Sequence, residues 1–274
     1  MIPGVTIIDT PELLSELLGT LINLPVRPPS LYLDLEGQDL SRRGTISIIQ
    51  IHVSPLRHTY LTDVHTLKEK VFSTTGKSDD ENITLKTILE DATIPKVFFD
   101  VRNDSDALYH LYGVSLAGVH DIQLMKFALA PFKRLMGLAY CMELDACSSE
   151  EEVKAVKATK ETGRKLFSPA CGGSYDVFNQ RPIPDRIVEY CAQNAHILPV
   201  LWKEYDERLG RLCDGEKKRD LITKEAVERV RVSQTVEYGK WDRREMIKGP
   251  RGVEWKVKYV HDGCCDSGMV LRSR

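Results

Sequence analysis

Two acidic side chains at alternate positions of an apolar segment are the residues of this sequence best suited to chemistry. Asp34 and Glu36 lie in Leu-Tyr-Leu-Asp-Leu-Glu at residues 31–36. Successive side chains of a β-strand point to opposite faces, so the two carboxylates share one face and the leucines line the other. Neighbouring carboxylates repel each other, and a divalent cation between them removes that repulsion. The segment therefore predicts a strand that could hold hard cations, which prefer oxygen ligands.

A tyrosine and an asparagine form a second candidate group. Tyr190 and Asn194 lie four residues apart in a segment that predicts a helix over residues 185–209. Residues at i and i+4 are neighbours on one helix face, so the phenol and the amide project together. Taken alone, a tyrosine on a helix is most often a core residue whose hydroxyl has a partner. The pair gains a chemical role only if the fold brings it to the two acids.

Apolar periodicity and turn residues predict alternating strands and helices along the chain. Thr10 as an N-cap and Pro11 at the first helical position open a helix that reaches residue 21. Short connections between neighbouring strands favour antiparallel hairpins at the start of the sheet. We therefore expect an α/β fold, a mixed sheet flanked by helices. The predicted strands are residues 5–8, 31–36, 45–53, 59–63, 96–99 and 119–121, and the further helices are 85–89, 104–112, 122–130, 150–164 and 185–209.

Composition is ordinary for a globular protein. The chain has 274 residues, 42% hydrophobic and 28% charged, with a formal net charge of −2. A nucleic-acid partner would then have to be held by local patches or by metal ions. No segment approaches the roughly 20 apolar residues of a membrane span, and the N-terminus has no secretory pattern. We expect an intracellular protein of the cytoplasm or nucleus, not secreted and without a membrane partner. Its scattered cysteines are expected to be reduced thiols: Cys141, Cys147, Cys171, Cys191 and Cys213.

Three motifs in chain order carry a resemblance to a known family. Asp34 and Glu36 match an Asp-x-Glu motif, Asp106 follows a buried strand at a helix start, and Tyr190 begins a Tyr-x-x-x-Asp pattern that ends here in Asn194. Over residues 5–207 the chain resembles 3′–5′ exonucleases of the RNase D type, the tyrosine subtype of the DEDD superfamily, which includes Egalitarian-type domains. Each motif alone is weak, and the ordered set is specific.

The resemblance implies an RNase H-like fold and a domain over residues 1–209. It implies two divalent ions, Mg²⁺ or Mn²⁺, held by Asp34, Glu36, Asp106 and the residue at 194. Tyr190 would orient the attacking water. The implied activity is metal-dependent 3′–5′ exonucleolytic hydrolysis of single-stranded nucleic acid by a two-metal-ion mechanism, and the implied partner is a 3′ end, of RNA rather than DNA.

Three further residues are candidate substrate contacts. Leu35 and Gly37 flank the acids, and Arg102 precedes Asp106 by four residues. A guanidinium can bind a phosphate through two hydrogen bonds. The alternative interpretation is that Arg102 pairs with Asp104 at the helix start.

Asn194 departs from the family pattern. Asparagine keeps the shape of aspartate and removes one negative charge from the implied metal site. Two explanations stay open: a substitution made to trap substrate, or a naturally weakened, binding-only member of the family. Either way we expect this chain to be nearly inactive, and we expect Asn194→Asp to restore metal-dependent nucleolysis.

Other functions and segments stay open. A non-catalytic RNA-binding or scaffolding protein, or a phosphoesterase acting on a small nucleotide, would also fit these residues. The segment 157–165 predicts a solvated helix and turn or, alternatively, a flank of the substrate channel. Residues 210–274 predict a basic helical extension, partly flexible, that is a solvated appendage or a nucleic-acid contact surface with Trp241 and Trp255.

Overall fold

A six-stranded mixed sheet forms the centre of the molecule. The computed structural model describes residues 4–77, 83–129, 134–240, 248–250 and 255. The sheet order is β1-β4-β3-β2-β5-β6. Its strands are β1 (Val5–Ile8), β2 (Leu31–Glu36), β3 (Ile48–Val53), β4 (His58–Asp63), β5 (Lys96–Phe98) and β6 (Val119–Asp121).

Strand β2, which carries the two acids, is interior to the sheet. It runs antiparallel to β3, with Asp34 opposite Gln50 and Glu36 opposite Ile48. On its other side β2 runs parallel to β5, and β5 runs parallel to β6. β3 and β4 are antiparallel, and β1 joins β4 in parallel. The predicted antiparallel hairpins are therefore confirmed, and both acids project from a strand that is paired on two sides.

Within the described residues, ten α-helices surround the sheet, joined by short 3₁₀ and π turns. Several start as the sequence predicts: Thr10 caps α1 and accepts from the Leu13 amide, and the Ser149 side chain caps α8. The helices are α1 (Pro11–Thr20), α2 (Val64–Leu67), α3 (Lys70–Ser73), α4 (Leu85–Glu90), α5 (Arg102–Tyr112), α6 (Ile122–Leu129), α7 (Leu138–Cys141), α8 (Glu150–Phe167), α9 (Asp185–Gly210) and α10 (Gly215–Ser233).

The two faces of the sheet pack differently. Leu31, Leu33 and Leu35 of β2 belong to the larger buried cluster, which includes α1 side chains. The opposite face carries Ile48 and forms a smaller buried cluster with Cys191 of α9. Because the acids share the face that α9 covers, this helix positions its side chains directly above them.

Helix α10 packs on the rest of the fold. Its buried side chains Ile222, Ala226 and Val230 belong to the larger cluster, and the helix contacts β6, α5, α6 and α9. Trp255 packs edge-on against Phe127, with ring centroids 5.5 Å apart. The expected helix in the extension is present and docked. The expected flexible part, with Trp241, lies outside the described residues.

None of the helices in the described ranges is both long enough and apolar enough to cross a membrane.

Candidate active site

The side chains of β2 and α9 meet as the sequence predicts. The Asn194 amide nitrogen donates to Asp34 Oδ2 at 3.0 Å and to Glu36 Oε1 at 3.3 Å. Interaction with Tyr190 partly offsets the rise that burial causes in the pKa of Glu36, and interaction with Asn194 does the same for the pKa of Tyr190. Asn194 is 2% exposed and Tyr190 8% exposed. The structure thus brings four of the five predicted site residues into one cluster, in which Asn194 and Tyr190 are buried and the two acids are half-buried. We call Asp34 and Glu36 the acidic pair.

A lysine that the sequence did not single out completes this cluster. The ammonium of Lys160, on α8, donates to the Asn194 amide oxygen. It also lies 4.9 Å from the centroid of the Tyr190 ring, in cation–π geometry. Lys160 therefore enters the site from the segment interpreted as a solvated helix. The alternative interpretation, that this segment flanks the site, agrees better with the geometry.

One face of α8 leaves room for the ring of Tyr190 and packs against it. A Cβ atom on Gly163 would lie 2.4 Å from the Tyr190 ring, so only glycine leaves room for the phenol there. Phe167, one turn further on, contacts the same ring at 5.1 Å between centroids. Lys160, Gly163 and Phe167 are spaced by three and four residues, which places them on one helix face. This face orients the tyrosine from the side opposite the sheet.

Burial and charge perturb the acids. Burial raises the pKa of Glu36 to about 8, and the negative charge of Asp34 adds to the increase. Burial also raises the pKa of Asp34, while the Lys160 ammonium partly offsets it. Burial lowers the pKa of Lys160, against the attraction of the acidic pair. The two carboxylates and the ammonium therefore behave as one electrostatic unit.

Asp104 is the acid of α5 that lies beside the acidic pair. Burial raises its pKa well above the usual range, and the charges of Asp34, Asp100 and Glu36 add to the increase. Asp104 is 6% exposed, and in the part of the chain that the structure describes its Oδ1 atom has no hydrogen-bond partner. Its position relative to the acidic pair is the one predicted for Asp106.

The structure does not bring Asp106 to the acidic pair. Its carboxylate instead accepts two hydrogen bonds from Arg42, at 2.7 Å from the backbone nitrogen and 2.7 Å from Nε. The same guanidinium donates to the carbonyl oxygens of Ser233 and Thr235. Asp106 therefore fixes the loop between β2 and β3 against α5 and the end of α10. The placement of Asp106 among the metal-binding acids was wrong, because residues two apart on a helix face nearly opposite ways.

Arg102 pairs with Asp100, not with Asp104. Its Nε lies 2.6 Å from Asp100 Oδ1 and its Nη2 2.7 Å from Oδ2. The residue is 5% exposed. Arg229 of α10 joins this network, 2.7 Å from Asp121 Oδ2. The Arg102 side chain is thus buried and paired with a half-buried aspartate, and the geometry does not favour its predicted contact with substrate.

Leu35 and Gly37, the other two predicted substrate contacts, are surrounded by core side chains and by backbone. Leu35 is 3% exposed and faces the larger core cluster, away from the acids. Gly37 lies against the backbone of Thr45, where a Cβ atom would be 1.9 Å from the carbonyl oxygen. This close approach requires glycine where the chain leaves β2, and β3 starts at Ile48, three residues later than expected. Any substrate contact by these two residues stays a prediction.

Comparison with known proteins places this geometry in a family. The sequence model of the 3′–5′ exonuclease family matches residues 5–209. This chain belongs to the 3′–5′ exonuclease family. The match confirms the resemblance and, with the sheet and helices described above, the RNase H-like fold.

Relatives of this exonuclease domain differ from it in length. The chain is 28% identical over 193 residues to the mouse piRNA biogenesis protein EXD1, a match that covers 66% of the chain and 30% of the mouse protein. The solved Trypanosoma brucei RNase D in complex with GMP is similar, with a TM-score of 0.64 and 23% identity, covering 84% of this chain and 64% of that one. The T. brucei RNase D complex with RNA U12 gives a TM-score of 0.62 and 22% identity, covering 84% and 70%. The chain spans under a third of the mouse relative.

The exonuclease domain fits a pair of divalent ions only in part. Exonucleases of this family generally use such ions. Asp34, Glu36 and Asp104 offer carboxylate oxygens, the ligands that Mg²⁺ and Mn²⁺ prefer. On the Asn194 side, however, an amide nitrogen donates to the acids, and the Lys160 ammonium lies behind it. Among the described residues, no group of three or more His, Cys, Asp or Glu is arranged to hold a metal ion. The acids suit a divalent ion, whereas the Asn194 side of the site does not suit the second ion of a two-ion centre.

The sequence motifs do not identify two residues of the site, Asp104 and Lys160. Asp104 could have been found, because Ala107 and Leu108 follow it by three and four residues and mark the buried face of α5. Lys160 left no such signal. A lysine buries its aliphatic stem and keeps its charge at the tip, so its partner is set by tertiary structure alone.

Proposed function

We propose that this exonuclease domain binds the 3′ end of single-stranded nucleic acid, RNA in preference to DNA. We propose further that the two-ion hydrolysis implied by its family is suppressed while residue 194 is asparagine. The observation that supports this is the direction of the Asn194 amide, which donates to both members of the acidic pair. A group that donates hydrogen bonds to these oxygens competes with any ion that needs them as ligands.

The residues of the chain explain why hydrolysis would be slow. In two-metal nucleases the ions activate water and stabilise the leaving oxygen. Without them, a side chain would have to act as the base. Burial and the nearby Glu36 hold the pKa of Tyr190 well above its usual value, so the phenol stays protonated. Tyr190 can orient a group by hydrogen bonding, but it does not remove a proton at neutral pH.

Aromatic side chains beside the acids support a single-stranded substrate. Tyr175 is 38% exposed and stacks on Phe167, with ring centroids 6.0 Å apart, and Phe167 contacts Tyr190. Exposed rings next to a cleft can stack on unpaired bases. Lys154 and Lys157 are exposed on the same helix as Lys160 and can contact phosphates. We propose RNA in preference to DNA because one relative is a piRNA biogenesis protein and a similar structure is an RNase D solved with RNA.

Restoring the missing carboxylate tests the suppression. We expect the native chain to leave labelled single-stranded RNA and DNA ladders intact with Mg²⁺ or Mn²⁺. Asn194→Asp should shorten them from the 3′ end, by at least about tenfold over the native rate, and chelator should abolish this. Asn23→Asp is the matched control, because it adds the same charge at an exposed loop position. An Asn194→Asp protein inert with Mn²⁺ on every single strand offered would contradict the proposal.

A second candidate is a purely RNA-binding or scaffolding protein that uses the exonuclease fold without hydrolysis. The Lys160 ammonium favours it, because a cation is already present beside the acids. This candidate predicts that the Asn194→Asp variant leaves the oligonucleotides intact and binds them with unchanged affinity. The same ladders, run with binding measurements, separate the two candidates.

A further inference from the structure

Lys160, Asn194 and the acidic pair form a continuous chain of hydrogen bonds. The ammonium donates to the amide oxygen of Asn194, and the amide nitrogen donates to Asp34 and Glu36. The amide therefore links a positive group on one side to two carboxylates on the other. Each hydrogen bond in such a chain polarises the next, which strengthens the set. We call these four residues the Lys160 relay.

We infer that Lys160, acting through Asn194, supplies the positive charge that a divalent ion would otherwise supply to the acidic pair. Lys160 is thus a positioning residue that makes the acidic pair independent of divalent ions. This inference rests on the proposed function only in taking the acidic pair as the nucleic-acid cleft. The inference goes beyond the loss of a carboxylate ligand at position 194, because it also gives Lys160 a part in the loss of ion binding.

Packing holds the Lys160 ammonium in place. The ring of Tyr190 lies 4.9 Å from it, and Gly163 lets that ring approach α8 closely. The charges that attract the ammonium are those of Asp34 and Glu36. A flexible lysine gives up side-chain entropy when it is fixed in this way, so the opposite charges must compensate.

Residues 160 and 194 should therefore be coupled. With aspartate at 194, the Lys160 ammonium would face a carboxylate in place of the amide oxygen and form a direct ion pair with it. That ion pair would compete with a divalent ion for the restored ligand. Asn194→Asp alone should restore ion binding only weakly, and the full effect should need the loss of the lysine charge as well. Such non-additivity is the signature of two residues in one network.

Thermal unfolding of the full chain with Mn²⁺ or chelator, without nucleic acid, tests this coupling. An ion that binds only the folded state raises the melting temperature. We expect no Mn²⁺-dependent shift for the native chain or for Lys160→Arg, which keeps the charge. Mn²⁺ should raise the melting temperature of Asn194→Asp slightly. It should raise that of the double variant Asn194→Asp/Lys160→Met by about 5 °C. Lys157→Met, at an exposed position of the same helix, should behave as the native chain.

Two patterns of Mn²⁺-dependent shift in melting temperature would overturn the inference. A Mn²⁺ shift in the native chain that Asp34→Asn removes would show that Lys160 does not replace an ion. Equal shifts in Asn194→Asp and in the double variant would show the same. If the double variant Asn194→Asp/Lys160→Met does not fold, the native chain and Lys160→Arg still decide, because a shift in either contradicts the inference. Since no oligonucleotide is present, this outcome is independent of whether the domain binds RNA.

Discussion

The chemistry of the site depends on whether the side chain of residue 194 presents a nitrogen or an oxygen atom to the acidic pair. Asparagine and aspartate have nearly the same shape, but the amide nitrogen donates where a carboxylate oxygen accepts. In this protein that nitrogen points at the acidic pair, 3.0 Å from Asp34 Oδ2. The neighbouring ammonium of Lys160 supplies the charge. Asp34 and Glu36 thus have partners without an ion.

Two aspartates of α5 should respond oppositely to the same substitution. Asp106→Asn removes the negative charge and one of the two acceptor oxygens that face Arg42, and should lower the free energy of unfolding by about 2 kcal/mol. Asp104→Asn removes a buried carboxylate that neighbouring acids disfavour, so stability should stay unchanged or rise by up to about 1 kcal/mol. Urea unfolding at neutral pH measures both. Equal losses would show that Asp104 is a paired, stabilising acid.

At the scale of elements, the strands were the most predictable part of the fold. β2 has the predicted bounds, because its alternating pattern specifies both the strand and the face of the acids. α8 was interpreted as solvated because charges dominate its sequence, and a stripe of lysine, glycine and phenylalanine carries no apolar period. The rotation of α5 about its axis was also missed. Asp104 and Asp106 differ by about 200° around that axis, and the family pattern was aligned to the wrong one.

Helix α10 should contribute to the stability of the exonuclease fold through one buried ion pair. Arg229 is 5% exposed and lies 2.7 Å from Asp121 Oδ2, and Asp121 is fully buried. Arg229→Met should therefore lower the free energy of unfolding by about 3 kcal/mol, because it leaves a buried carboxylate without its cation. Arg231→Met is the matched control. Arg231 lies on the same helix but is 64% exposed, so we expect its replacement to leave the free energy of unfolding almost unchanged.

Chemical unfolding followed by far-UV circular dichroism compares these two variants. Similar small losses would mean that α10 is a loosely attached appendage, as one interpretation of the sequence had it. A large loss for Arg229→Met alone would show that the helix is part of the cooperative fold.

At the scale of the whole molecule, the site is assembled from segments far apart in sequence. β2, α8 and α9 supply the relay, and the loop after β2 is held by α5 and the end of α10. Sequence motifs predicted the meeting of Asp34, Glu36, Tyr190 and Asn194, because each lies in a strongly patterned element. They did not predict Lys160, whose role depends on long-range packing. The match to residues 5–209 covers the part of the chain that holds the site.

Equilibrium binding of a labelled single-stranded RNA with a free 3′ hydroxyl to the native chain tests the central claim most directly. Measured with Mg²⁺ and with chelator, the affinity should agree within about twofold, because Lys160 already provides the cation. Single-stranded DNA and a blunt duplex should bind more weakly, and the RNA should be recovered at full length. Binding lost in chelator, or Mg²⁺-dependent shortening of the RNA by the native chain, would contradict the account.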